Sequence, residues 1–188
     1  ACEINAFGGD CAGGIVGNAT YTEITSCSNG ANLYSEAIYN GGILGIATTG
    51  VKISCCSCNG RITADGEITT SGGILGMSTE YAELINNSFS GDVYSSAVSN
   101  ALCGGIAGSF VGKIENSFVN GGVHSSNFLS DKTGEKVSVS AGIVAKATGG
   151  EISNCYFSGI SENNGLEGYE VCPENSVVLD NVFYSVGE

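Results

Sequence analysis

The sequence has no tryptophan, one proline, one histidine and only six lysine and arginine residues among 188. Because 19 aspartate and glutamate residues oppose those six cations, the formal net charge is −13 and no basic stripe is available to neutralise phosphates. These deficits exclude nucleic-acid binding, and an anionic membrane surface would repel the chain. No apolar run approaches the roughly 18 residues of a membrane-spanning helix. The first residues, Ala1-Cys2-Glu3, lack the basic segment of a signal peptide, which is typical of a mature or excised piece of a longer protein.

Glycine is the residue type in excess, with 30 copies. Abundant glycine without proline or a strict three-residue period is not typical of collagen or of a disordered linker. Apolar residues make up 42% of the chain, which is enough for a substantial core and indicates a folded domain despite the high charge. The nine cysteines are too sparse for a small disulfide-held protein, and their odd number leaves at least one unpaired within the chain.

Two short signatures recur along the chain and define a repeat. The string Gly-Gly-Ile-x-Gly, with one weakened copy, begins at Gly13, Gly41, Gly72, Gly104 and Ala141, at intervals of 28 to 37 residues. Each copy is followed by an isoleucine, a few polar residues, a serine or cysteine, often an aromatic residue, and a glycine. The fourth repeat, for example, has Ile114-Glu-Asn-Ser-Phe-Val-Asn-Gly121 at this place.

Each repeat contains two or three short runs of β-forming residues separated by glycine, asparagine and serine, without a helical period. Units of this size cannot bury an apolar face alone, whereas stacked units bury a continuous core between parallel strands about 4.8 Å apart. We therefore predict an all-β fold, a parallel β-helix or β-solenoid of about five to six coils built from repeats of 28–37 residues. The predicted divisions are an N-terminal partial coil or cap at 1–12, five repeats at 13–159, and an irregular C-terminal partial repeat or cap at 160–188.

Equivalent residues of successive repeats are expected to stack along the solenoid axis, and we call each such series a column. Two columns are apolar and should face inward. The first consists of Ile15, Ile43, Ile74, Ile106 and Ile143, and the second of Ile24, Ile53, Ile85, Ile114 and Ile152. Each buried isoleucine contributes roughly 1.5–3 kcal/mol to folding, so ten of them can support a narrow core.

The second signature contributes three further sets of residues. An asparagine column is expected at corners, because asparagine tolerates left-handed backbone, at Asn87, Asn116, Asn154 and Asn181. A neighbouring column of small residues, expected to pack inside, consists of Cys27, Cys56, Ser88, Ser117 and Cys155. At a spacing of about 4.8 Å, Cys27 is near enough to form a disulfide with Cys55 or Cys56. The aromatic set is Phe89, Phe118, Tyr156, Phe157 and Phe183, for which strand parity leaves open core packing or an exposed stripe that could hold sugars.

The two signatures together resemble the GLUG-motif repeat family, whose pattern is approximately Gly-Gly-Leu/Ile-Val-Gly followed by Ile-x-Asn-Cys-Tyr-x-x-Gly-x-Val. The best matches are Ala141 to Ile160 and Gly104 to Val123, whereas Ser26 and Cys55 stand where the family has asparagine. The resemblance implies an extracellular stalk or adhesion module, of the kind found in bacterial adhesin-like surface proteins and in regions of IgA-cleaving peptidases. It brings no catalytic residues with it.

Residues able to support catalysis are few. Any Ser-His-Asp or Cys-His site would need His124, but no nucleophile-elbow motif accompanies it, so an ordinary solvent-exposed position is the favoured interpretation. Cys55 and Cys58 formally make a CxxC pair without a second pair or a flanking helix, and are interpreted as structural. Acids are scattered singly rather than paired for glycoside chemistry, at Asp65, Glu67, Glu80, Glu83, Asp92, Glu115 and Glu151. We therefore predict no catalytic, metal-binding or cofactor-binding residue, and no binding residue is assigned.

These features favour a non-catalytic extracellular module of a larger bacterial surface or secreted protein, acting in adhesion, in ligand binding or as a structural spacer. Its expected partners are a host or matrix protein or glycan and the neighbouring domains of the parent protein, with no nucleic acid and no membrane insertion. The alternative is a carbohydrate-active β-helix enzyme or a polysaccharide-binding domain, with clustered acids near the charged insertion at 128–136.

Overall fold

The computed structural model describes residues 2–127, 138–164, 166–173 and 177–186, and every regular element in these ranges is a β-strand. The strands wind into a parallel β-solenoid of about five turns, which confirms the predicted fold class. The charged insertion at 128–136 lies outside the described residues.

The strands are short in the first coils and longer towards the C-terminus. The first coil contains β1 (Glu3–Ala6), β2 (Cys11–Gly13), β3 (Val16–Ala19), β4 (Glu23–Thr25) and β5 (Ser28–Asn29). The second contains β6 (Asn32–Ser35), β7 (Tyr39–Gly41), β8 (Leu44–Ala47), β9 (Val51–Ser54) and β10 (Ser57–Cys58), and the third β11 (Ile62–Gly72), β12 (Leu75–Ser78), β13 (Ala82–Ile85) and β14 (Ser88–Phe89). The following coils contain β15 (Val93–Gly104), β16 (Ala107–Glu115), β17 (Phe118–Asn127), β18 (Ser138–Ala141), β19 (Val144–Ser153) and β20 (Tyr156–Asn163). The C-terminal segment adds β21 (Leu166–Glu167), β22 (Val178–Asp180) and β23 (Phe183–Val186).

Successive coils pair in two sheets, one of 14 strands and one of nine. In the larger sheet, β1, β6, β11, β15 and β17 are consecutive neighbours, and β20 follows β17. In the smaller sheet, β3, β8, β12, β16 and β19 form the corresponding series. Among the named strand pairs of the described residues, only β20 with β21 is antiparallel. Each side chain therefore stands beside its counterpart in the next coil, about 4.8 Å away.

The first apolar column is buried except at its N-terminal end. Ile43, Ile74, Ile106 and Ile143 are fully buried, and their backbones are linked by hydrogen bonds such as Ile43 N–H to the Ile74 carbonyl at 3.0 Å. Ile15 is 45% exposed, so its predicted burial is wrong. It belongs to the first coil, and no described coil covers it on the N-terminal side.

The second apolar column contains a leucine in the third coil, and the predicted Ile85 is wrong. Leu84 pairs with Ile53 and Ile114 and is fully buried, whereas Ile85 pairs with Ser54 and Glu115 and is only half-buried. The alternation along β13 explains the difference, because Ala82 and Leu84 face inward and the residues between them face outward.

The same shift by one residue corrects the asparagine column. Its left-handed residue in the third coil is Asn86, with φ +58°, and not Asn87. Asn116, Asn154 and Asn181 hold the equivalent left-handed positions, with φ between +50° and +53°. Asn87 instead lies buried at the place predicted for Ser88, where its side chain accepts from Cys56 N–H at 3.0 Å and donates to the Ile53 carbonyl at 2.9 Å.

The glycines of the repeated string lie where neighbouring coils approach too closely for a side chain. A Cβ atom at Gly73 would overlap both the carbonyl oxygen of Gly105 in the next coil and the ring of Phe89 inside the solenoid. A Cβ atom at Gly42 or at Gly142 would likewise overlap a backbone oxygen of the next coil and an interior side chain. Close approach of the backbones therefore explains why the string recurs.

Charges alternate along one outer column of the smaller sheet. From β4 to β19 this column consists of Glu23, Lys52, Glu83, Lys113 and Glu151. Stacking of identical repeats would place like charges side by side, which is destabilising, whereas alternation makes each neighbouring pair attractive. Lys113 also lies 2.8 Å from Glu115 (Nζ to Oε2), and this hydrogen bond raises the pKa of Lys113 above its ordinary value.

Both ends of the described solenoid expose apolar side chains, including Phe7 in the first coil and Val178 and Phe183 in the last. At the C-terminal end, β22 pairs with β19 and β23 pairs with β20, so the columns continue into the range 160–188. No helix able to cross a membrane was found in the described ranges.

Candidate ligand-binding groove

A polar depression of about 360 Å³ lies on the outer face of the larger sheet. It spans three consecutive coils, and we call it the Arg61 groove. Its lining consists of Asn32, Tyr34, Asn59, Arg61, Ser90, Gly91 and Asp92. The residues of the groove come from equivalent places near the starts of β6, β11 and β15, which the parallel register brings together.

The guanidinium of Arg61 is held between a carboxylate and an aromatic ring. Its Nη2 lies 3.5 Å from Oδ2 of Asp92, and its Cζ lies 5.1 Å from the centre of the Tyr94 ring. The backbone N–H of Arg61 donates to Oδ1 of Asn32 at 3.0 Å. The side chains of Arg61 and Asp92 are 51% and 40% exposed, so their ion pair contributes little to folding stability. These contacts therefore position the side chains at the surface more than they stabilise the fold.

Tyr94 belongs to a neighbouring column of the larger sheet, and the next residue in that column is His124. The rings of Tyr94 and His124 lie 4.6 Å apart at an interplanar angle of 9°, and Nδ1 of His124 is 3.0 Å from Oε2 of Glu162. Gly122 leaves room for these side chains, because a Cβ there would overlap Nε2 of His124. The backbone N–H of Gly122 donates to Oδ1 of Asp92 at 3.0 Å.

The groove combines hydrogen-bond donors, acceptors and an aromatic surface without a net charge. The two asparagine amides and the serine hydroxyl both donate and accept, whereas Arg61 only donates and the Asp92 carboxylate only accepts. One cation and one anion balance each other. Such a surface can bind a polar, uncharged ligand through several hydrogen bonds at once.

The aromatic residues of the second signature divide between the core and the surface. Phe89 and Phe157 are buried, so core packing is correct for them. Phe118, Tyr156 and Phe183 form an exposed column, in which the first two rings stack at 5.6 Å with an interplanar angle of 6°. Hydrogen bonds with serines, chiefly Ser185 at 2.8 Å from the Tyr156 hydroxyl, lower the pKa of that phenol.

A second cavity of about 530 Å³ lies between the solenoid and the C-terminal segment, and we call it the Lys146 pocket. Its walls are largely apolar and include Ile68, Leu102, Val139, Lys146, Tyr169 and Pro173. Its charged side chain is Lys146, which is surrounded mainly by apolar residues, whereas the lining of the Arg61 groove is mainly polar.

The cysteines do not form a redox or disulfide site. All nine are thiols, so the disulfide considered from Cys27 to Cys55 or Cys56 is not formed. The backbone N–H of Cys27 instead donates to Sγ of Cys56 at 3.4 Å. Cys55 is exposed at a corner, with φ +55°, whereas Cys58 is buried in β10, so the two thiols of the CxxC string lie in different environments. Burial raises the pKa of Cys58 to about 11, so this thiol stays protonated at neutral pH.

The remaining candidates from the sequence lie in separate places. His124 is partly buried beside the Arg61 groove, bonded to Glu162 and stacked on Tyr94. Of the scattered acids, Asp92 lines the groove, while the others have no place in its lining. Within the described ranges, no three histidine, cysteine, aspartate or glutamate side chains form a group suited to a metal ion.

Arg61, Asn32 and Tyr34 were not identified from the sequence. For Arg61 the signal is its position directly after Gly60, which closes the second signature, the place that Asp92 holds after Gly91. Asn32 and Tyr34 lie two and four residues after Gly30, so this signal does not mark them. Compared with protein-family models, curated proteins and solved structures, the chain matches none of them. The likeness to the GLUG repeats therefore stays a prediction from the motifs.

Proposed function

We propose that this chain is a non-catalytic recognition module, a β-solenoid that presents the Arg61 groove to a ligand. The observation that carries the proposal is the assembly of this groove from three coils. Arginine, aspartate, two asparagines and a tyrosine meet there on the outer surface, and the exposed ion pair between Arg61 and Asp92 contributes little to folding. Exposed polar and aromatic residues positioned by a rigid scaffold are typical of binding surfaces.

The contacts of the titratable groups support recognition rather than catalysis. Nδ1 of His124 is bonded to the Glu162 carboxylate, and the ring is stacked on Tyr94. Asp92 is engaged by Arg61 and by the N–H of Gly122. A nucleophilic site would instead need a serine or cysteine within hydrogen-bond reach of the histidine.

We place the module outside the cell, as part of a larger bacterial surface or secreted protein, where it acts in adhesion or ligand binding or as a structural spacer. The resemblance of the repeats to the GLUG family supports this placement. The acidic composition, with a net charge of −13, agrees with an exposed and hydrated surface. The partners would be a host or matrix protein or glycan, together with neighbouring domains of the parent chain.

The alternative function is that of a carbohydrate-active enzyme, and one arrangement favours it. Asp92 and Glu162 lie two coils apart, and both reach towards the coil between them, where they bond Gly122 N–H and His124 Nδ1. Glycoside hydrolysis places two carboxylates on either side of a sugar bond, about 5–9.5 Å apart, and catalysis here would require that separation between Asp92 and Glu162.

A panel of glycans and matrix proteins, with reducing-end release measured in the same wells, tests both functions. Saturable binding without new reducing ends is the expected result. New reducing ends that disappear in Asp92→Asn and Glu162→Gln would overturn the non-catalytic proposal in favour of the enzyme. A chain that binds no glycan and no matrix protein would refute recognition altogether.

A further inference from the structure

We propose that the Arg61 groove binds an uncharged saccharide chain, whose sugar units lie along the solenoid axis. This inference rests on the proposed function, because it names the ligand class and the contact residues of that recognition module.

The hydrogen-bonding groups of the groove suit a polyol. A sugar hydroxyl donates and accepts at the same oxygen atom, and the groove offers both kinds of partner side by side. Two of these partners are already oriented by backbone amides: Oδ1 of Asn32 accepts from Arg61 N–H, and Oδ1 of Asp92 accepts from Gly122 N–H, both at 3.0 Å. Because these side chains are held before binding, less entropy is lost when the ligand arrives.

The charge of the groove favours an uncharged ligand. Arg61 and Asp92 neutralise each other at 3.5 Å, which leaves no unopposed charge in the lining to attract an ion. The whole chain, at −13, repels polyanions such as acidic polysaccharides.

Tyr34 supplies the apolar surface that the CH face of a sugar needs. The residue is 37% exposed and lines the groove, whereas the ring of Tyr94 is contacted by Arg61 and stacked on His124. Tyr34, Thr63 and Tyr94 share a column, so Tyr34 and Tyr94 lie about 10 Å apart along the axis, two coil spacings. The cavity volume of 360 Å³ is at the lower end of the range for ligand sites and suits a few sugar units of a saccharide.

The test is a calorimetric titration with neutral gluco-, manno-, galacto- and xylo-oligosaccharides and with a uronate oligosaccharide for comparison. Tyr34→Ala and Arg61→Gln should each weaken binding of the neutral ligand by about tenfold or more, from the loss of ring contact and of charged hydrogen bonds. Tyr81→Ala removes another exposed tyrosine, and Lys146→Gln removes the cation of the other cavity. Both control variants should bind within about twofold of the unmodified chain. Circular dichroism and the thermal midpoint establish that each variant is folded.

The possible outcomes separate this inference from the proposed function. Undiminished saccharide binding by folded Tyr34→Ala and Arg61→Gln, or its loss in Lys146→Gln, would overturn the Arg61 groove as the binding site in both proposals, while recognition of a saccharide by another surface of the chain would stand. Tighter binding of the uronate, or binding of a matrix protein and no saccharide, would overturn the ligand class alone. Binding of neither class would overturn both proposals.

Discussion

Alanine substitutions at Gly76 and Gly17 test whether close packing of the coils explains the repeated glycines. The two residues occupy the same column, at the last position of the string. A Cβ at Gly76 would overlap the carbonyl oxygen of Gly45 and lie 2.6 Å from the backbone nitrogen of Asn40. At Gly17 the nearest atoms would be the carbonyl oxygen and Sγ of Cys11, at 3.7 and 3.8 Å, which are ordinary contacts.

The expected effects of the two substitutions have opposite signs. Because backbone atoms crowd Gly76, the coils must shift, and overpacking of this kind costs about 1–3 kcal/mol. At Gly17 the alanine fits, so it should stabilise the fold by about 0.4–1 kcal/mol through the lower entropy of the unfolded chain. The difference of about 1.4–4 kcal/mol corresponds to roughly 3–16 °C in thermal midpoint for a chain of this size.

Thermal and urea denaturation, followed by far-ultraviolet circular dichroism, measure this difference. The two variants share the substitution and the position in the repeat, so they differ chiefly in whether a described coil packs on the N-terminal side of the glycine. Equal midpoints, or a larger loss at Gly17, would refute close coil approach as the reason for the glycines.

Three further predictions concern the charge column, the asparagine column and a buried cysteine. Lys113→Glu places a third negative charge between Glu83 and Glu151 in the charge column. The thermal midpoint should therefore fall at low salt and recover partly at high salt, because salt screens the repulsion. A midpoint that does not depend on salt would contradict the role of this column. Asn116 has φ +50°, so Asn116→Ala should lower the free energy of unfolding by about 1–2 kcal/mol, and Asn116→Gly by less, in urea denaturation. Burial raises the pKa of Cys58 from 9.0 to about 11. The stability contributed by this thiol is therefore complete below pH 9 and is lost as the pH rises to about 11. The thermal midpoint of the unmodified chain should fall over this pH range, and Cys58→Ala should make that fall smaller.

The parallel stack follows from the sequence because the same strings recur at intervals of 28 to 37 residues and each repeat is too small to bury an apolar face alone. The second glycine of the string has the same origin, since a Cβ there would overlap a backbone oxygen of the next coil in every repeat. These features recur in every repeat, so one chain is enough to reveal them.

The register within the third repeat could not be predicted from residue type alone. Leu84 and Ile85 are adjacent and equally apolar, so matching isoleucine to isoleucine selects the wrong one. The buried positions on either side of Glu83, at Ala82 and Leu84, determine the register in the folded chain. The same shift by one residue makes Asn86, and not the predicted Asn87, the left-handed asparagine of the third coil.

The Arg61 groove was beyond prediction because its residues are not part of the repeat pattern. Asn32, Arg61 and Asp92 occupy one column but differ in type, and only the folded register brings them together. Tyr94 and His124 lie in separate repeats, and their stacking depends on the same register.

Recognition through the Arg61 groove is tested most directly by nuclear magnetic resonance of the isotope-labelled chain, titrated with a ligand that binds in the panel. The predicted result is a set of amide shifts concentrated at the groove, including the backbone N–H groups of Arg61 and Gly122, which donate to its side chains. Shifts confined to the Lys146 pocket or to the smaller sheet, with the groove amides unchanged, would contradict it.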